Sequence, residues 1–78
     1  MKFEITKTWK ELPYTTCTIV VPSIPGIIVC SSDAQPTAED GIRYSGQVVP
    51  FYSEQKLWAK IPNSQKQNST VVTIENFI

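Results

Sequence analysis

The chain has no histidine. A Ser-His-Asp arrangement is therefore excluded, and the commonest metal ligand is missing. Glycine is nearly as scarce, with three in 78 residues, and none is placed to build a glycine-rich phosphate loop. Charge of either sign is sparse and balanced, seven Lys/Arg against seven Asp/Glu. The lysines (2, 7, 10, 56, 60 and 66) are scattered and Arg43 is the single arginine. Such a chain offers no basic face to displace counterions from a phosphate backbone, so no nucleic-acid partner is expected. No apolar run approaches the ~18 residues of a membrane-spanning helix, and no membrane partner is expected. The opening segment carries Lys2, Glu4, Lys7, Lys10 and Glu11 where a signal peptide needs an apolar stretch. The expectation is a protein made in a cytoplasm and kept there or assembled into something larger.

What is present is strand-forming sequence. Six segments, residues 3–8, 15–21, 26–32, 47–52, 56–61 and 70–75, are short, rich in β-branched or aromatic residues and bounded by Pro, Gly, Ser, Asn and Asp. No window sustains a helical apolar stripe, and six prolines punctuate the chain. The expected fold is all-β: one domain over residues 1–78, a small antiparallel β-sandwich or barrel of about six strands, with an SH3-like barrel as the second architecture. A short helical turn over residues 37–41 is also expected, capped by Thr37 and stopped by Gly41. A domain this small buries only roughly 60% of its unfolded surface, so its core is thin.

Two hairpin registers follow from symmetric closure. Closing the first around residues 22–25 sets Cys17 opposite Cys30, Ile19 opposite Ile28 and Val21 opposite Gly26, and gives one wholly apolar face. Closing the second around Ser53, Glu54 and Gln55 sets Phe51 opposite Leu57 and Val49 opposite Ala59, with Ile61 extending that face. Pro50 lacks an N–H donor and points to an edge strand or a bulge.

The candidate chemistry is thin. Cys17 and Cys30 can be read as buried thiols, as a disulfide or as a reactive pair. Buried reduced thiols fit best, since free cysteine packs as a small hydrophobe and no Lys, Arg or His neighbours either in sequence to activate it. Asp33, Glu39 and Asp40 share a loop, but their spacing matches no calcium loop. No lysine is set beside a serine in an evident pocket, so catalysis, metal and cofactor are not expected. The remaining signal is exposed apolar surface. Tyr44, Tyr52 and Trp58 could form a patch outside the core that stacks on a sugar or anchors a partner; alternatively, Trp58 fills the core. Ile24 sits between Pro22 and Pro25 at a loop tip, and Phe77 and Ile78 end the chain.

One resemblance spans the last two-thirds of the chain. Residues 29–32 are an apolar strand ending in Ser-Ser. Pro36-Thr37 leads to Gly41-Ile42, Gly46 introduces a strand, and Leu57-Trp58-Ala59 precedes a Val-rich final strand at 69–74. This pattern resembles small tailed-bacteriophage virion proteins. The resemblance implies a non-catalytic β-sandwich module that decorates or stabilises a capsid, or sits in head or tail fibres. Residues 1–25 lie outside it and are a docking arm or an extra strand. The partners it implies are a phage capsid protein, further copies of the chain, or both, with a trimer slightly favoured because decoration proteins often occupy threefold positions. Two other readings stand beside it: a carbohydrate-binding or receptor-contacting module using the Tyr/Trp patch, and an inhibitor that captures a host protein.

Overall fold

The computed structural model describes residues 1–76. Eight strands make two antiparallel sheets: β1 (Lys2–Thr6), β2 (Lys10–Glu11), β3 (Thr16–Val21), β4 (Ile27–Ser31), β5 (Ile42–Tyr44), β6 (Gln47–Tyr52), β7 (Leu57–Lys60) and β8 (Ser69–Asn76). The first sheet runs β1-β8-β3-β6 and the second β2-β7-β4-β5. The all-β sandwich read from the sequence is the observed fold. All six expected strands are present. The two additions, β2 and β5, are short edge strands that lack a period-two apolar signal.

The core lies between the sheets. Alternate residues of each strand point inward: Phe3 and Ile5 from β1, Cys17, Ile19 and Val21 from β3, Val49 and Phe51 from β6, Val72 and Ile74 from β8, facing Ile27 and Val29 from β4 and Leu57 and Ala59 from β7. Ile61, just beyond β7, closes one end, and its N–H donates to the Thr6 carbonyl at 2.8 Å. At one open side Lys10 of β2 lays its ammonium 4.9 Å from the Phe3 ring centroid, a cation–π contact that joins the two edge strands there.

Both symmetric hairpins are overturned. β3 pairs with β6 and β8, whereas β4 pairs with β5 and β7 in the other sheet. Cys17 therefore lies opposite Phe51 and Asn76, and Cys30 opposite Trp58. The 22–26 connection passes from one sheet to the other. The inward face of β4 consists of Ile27 and Val29, one residue out of step with the expected Ile28 and Cys30. The 53–56 connection also changes sheets, so Phe51 and Leu57 belong to opposing layers. Their shared inward direction was read correctly; their pairing was not. The Pro50 reading holds, because β6 is an edge strand. Residues 37–41 form bends and no helical turn, because their polar groups are spent on side chains of the second sheet.

Candidate functional site

The second sheet carries a strap. Register places Ile28, Cys30, Trp58 and Lys60 on its outer face, since their neighbours Val29 and Ala59 point into the core. Trp9, next to β2, continues that face beside Lys60, with the Lys60 ammonium 6.0 Å from its ring centroid. An outer face is normally wet, yet Ile28 is 7% exposed and Lys60 4%. Residues 32–41 cover them.

Three tethers hold the strap. The Trp58 indole N–H donates to the Ser32 carbonyl at 2.8 Å, the Trp9 indole N–H to the Ala38 carbonyl at 3.0 Å, and the Lys60 ammonium to Glu39 Oε1 at 2.8 Å. Lys60 also donates to Asn63 Oδ1 at 3.0 Å, and the Asn63 backbone N–H donates to the same Glu39 oxygen. The ion pair is asymmetric: the ammonium is buried and the carboxylate reaches solvent. The hydrogen bond from Lys60, then that from Asn63, hold the Glu39 carboxyl below the usual carboxylate range. Gly41 returns the strap to β5 with φ of +139°, and a Cβ there would stand 2.5 Å from the Val29 carbonyl oxygen. Glycine is required by both conformation and space.

Beside the strap opens a cleft of about 600 Å³, lined by Lys7, Trp9, Gln35, Thr37, Lys60 and Asn63 among others. Its walls carry amides, hydroxyls, the Lys7 and Lys60 ammonium groups and the Glu39 carboxylate, with the largely buried Trp9 also in the lining. A second cleft, about 320 Å³ and mainly apolar, lies where edge strands β5 and β6 leave the sandwich open. Tyr44 meets Phe51 edge-on there, with centroids 5.5 Å apart and an interplanar angle of 87°. Ser31 and Ser53 close one end through a 2.7 Å hydroxyl hydrogen bond.

The first sheet has no strap. The outward residues of β3 are Thr16, Thr18 and Val20, and those of β6 are Val48, Pro50 and Tyr52. Lys2, Thr73, Val20 and Val48 form one cross-strand row, and Glu75, Thr18 and Pro50 the next. Val20 is 44% exposed, Val48 62% and Tyr52 77%, while Val71 on β8 is also exposed. Charges are confined to the β1/β8 half, at Lys2, Glu4 and Glu75. The β3/β6 half has none.

The expected site residues are divided among these surfaces. Tyr44 and Tyr52 share the apolar cleft. Trp58 is on the outer face of the other sheet, half-buried and bonded to the strap, so it neither joins the tyrosines nor fills the inter-sheet core. Ile24 is exposed at its loop tip. Phe77 and Ile78 lie outside the described residues. Cys17 is a buried free thiol whose pKa burial pushes up. Cys30 is a free thiol, half-buried beside Trp58. Sequence reasoning missed Trp9 and the Lys60–Glu39 pair. A tryptophan amid Lys7, Lys10 and Glu11 was the available signal for the first; the second joins residues 21 positions apart.

No family model, curated protein or solved structure matches this chain.

Proposed function

We propose that this protein is a non-catalytic virion accessory module that decorates or stabilises a phage capsid, docking through the outer face of its first sheet. The observation that carries the reading is the uncharged Thr/Val/Pro/Tyr surface of β3 and β6, with Val20, Val48 and Tyr52 exposed. Four strands spaced about 4.8 Å apart set the outer strand axes roughly 14 Å apart, and the uncharged patch occupies the β3/β6 half of that face. A surface of this kind acts by excluding water over a matched surface, with roughly 25 cal/mol per Å² of apolar area set against the cost of association. The zero net charge imposes little repulsion between neighbouring copies. Identical copies around a symmetry axis would each repeat the contact.

The phage part of the reading rests on the sequence resemblance; the docking part rests on the bare face. Mass spectrometry and co-sedimentation of purified virions test both. The expected result is many copies per particle, and loss of co-sedimentation in a Val20→Lys/Val48→Lys double variant that still folds. Absence from particles removes the virion reading. Unchanged binding by the double variant removes this face.

A further inference from the structure

The strap cleft has features that the docking reading does not use. It encloses about 600 Å³, within the roughly 300–1,000 Å³ span of small-molecule sites. Its lining sets the Lys7 and Lys60 ammonium groups beside the Glu39 carboxylate, with amides and hydroxyls around them. Lys7 is half-buried in the lining and, among the described residues, makes no ion pair. Lys60 spends two of its three N–H donors on Glu39 and Asn63. Gln35 and Asn63 add side-chain amides, and Thr37 adds a hydroxyl. Glu39 neutralises Lys60, which leaves Lys7 as the uncompensated charge.

We infer that this cleft binds an acidic sugar, a single carboxylated pyranose unit, with its carboxylate on Lys7, its hydroxyls on Gln35, Thr37 and Asn63, and an apolar ring face toward Trp9. Charge selects the carboxylate: one unpaired ammonium matches one negative charge, and a dianion would overcompensate it. Shape and hydrogen bonding select the ring. The cleft walls are mostly loop residues whose side chains include amide, hydroxyl and ammonium donors, so a compact acceptor-rich molecule satisfies more of them than an extended peptide does. Pro36 and the small part of Trp9 that is left exposed supply the apolar wall for a pyranose face. The site is distinct from the bare face of the first sheet, so either can fail without the other.

The two indole N–H groups make the test internal. Both donate to strap carbonyls, but only Trp9 lines the cleft. D-galacturonic acid titrated into isotope-labelled protein is expected to move the Trp9 indole resonance saturably, at about millimolar concentration, and to leave the Trp58 indole in place. D-galactose is expected to bind at least about tenfold more weakly, and Lys7→Met to weaken galacturonate by about the same factor. Added salt should weaken it too. If Lys7→Met does not fold, Gln35→Ala carries the same expectation. The proposal is overturned if both indoles move together, if galactose or glutarate binds as well as galacturonate, or if the folded variant binds unchanged. A blocked glutamate that outcompetes galacturonate would assign the cleft to acidic peptide and equally overturn it.

Discussion

The two outer faces of this sandwich each belong to a four-stranded antiparallel sheet and are finished in opposite ways. On the second sheet, Ile28, Trp58 and Lys60 point away from the core and are nevertheless sheltered, because residues 32–41 cross over them and are tied down at Ser32, Ala38 and Glu39. On the first sheet, Val20, Val48 and Tyr52 point away from the core and stay in water. The strapped face acts as a second, partly polar core that a thin domain needs. The bare face leaves its apolar residues in water. Stability measurements on matched positions separate the two.

The largest contrast should come from Ile28. Ile28→Ala removes a side chain that is buried on the outer face only because the strap covers it. A loss of about 2–4 kcal/mol is expected, the cost of deleting a buried isoleucine. Val20→Ala, on the bare face, should cost a small fraction of that. Urea unfolding of both variants gives the comparison directly. Equal losses would mean that the strap does not shelter Ile28.

Gly41→Ala should follow, at about 1–3 kcal/mol. The new methyl would meet the Val29 carbonyl oxygen at 2.5 Å and Ile28 Cγ2 at 3.0 Å, on a backbone with φ of +139°. Part of the loss should appear as faster amide exchange in residues 32–41, with β3 and β8 unchanged. A Gly41→Ala protein as stable as the parent would show that the strap returns to β5 by another path.

Much of the first sheet and little of the strap was legible in the sequence. The alternation Cys17, Ile19, Val21 gave the inward face of β3 because its other face is wet and polar. In β4, Ile27, Ile28 and Val29 are all buried, since core lies on one side and strap on the other. Alternation vanishes when both faces are covered, and the expected register slipped by one residue. The pairings failed for a different reason. Symmetric closure assumes that neighbouring strands share a sheet, whereas the connections at 22–26 and 53–56 change layers. The strap's tethers join Trp9 to Ala38, Lys60 to Glu39 and Trp58 to Ser32, and no local pattern announces a contact across such separations. Thr-Ala-Glu-Asp-Gly at 37–41 fits a helical turn capped by Thr37, but Glu39, which that turn needs in its first residues, is engaged by Lys60 instead.

The indole tethers offer a smaller effect. Trp9→Phe and Trp58→Phe each keep most of the ring and lose one hydrogen bond to a strap carbonyl. About 1 kcal/mol each is expected in global stability. The Trp9 change should loosen the strap near Ala38 and the Trp58 change near Ser32, measured by hydrogen exchange. A uniform response along the strap would indicate that it opens as one unit.

Acid should loosen the same strap. Glu39 has its folded pKa lowered by Lys60 and Asn63. The unfolded chain therefore binds the proton more readily, and the carboxylate stabilises the fold at pH above its unfolded value. That contribution is lost as pH falls through the lower, folded value. Exchange in residues 32–41, corrected for intrinsic chemistry, should rise below the ordinary carboxylate range, and Glu39→Gln should remove the dependence. Cys17 has the opposite sense of shift. Burial raises its pKa, so its contribution is intact below the unfolded thiol value and is lost as pH rises through the folded one. Native thiol labelling should accordingly reach the half-buried Cys30 before Cys17. Simultaneous labelling would place Cys17 outside the core.

The smallest stability effect carries the most functional meaning. Val48→Lys puts a charge on an edge strand at a position 62% exposed, with Val20 as its cross-strand neighbour and no other lysine on that half of the sheet. A surface change of this kind should shift unfolding by no more than about 0.5 kcal/mol. Lysine on an edge also discourages strand-to-strand association, so the variant should remain at least as soluble as the parent. If the fold is indifferent to charge at this position, the valine is not there for the monomer. A Val20–Val48 pair kept uncharged at no benefit to folding, on a row whose other end carries Lys2, is then best explained by what it touches. The variant that leaves the unfolding curve in place and abolishes attachment to particles would assign the bare face to docking. One that unfolds the protein would show that this face already stabilises the sandwich, and the contrast with the strapped sheet would disappear.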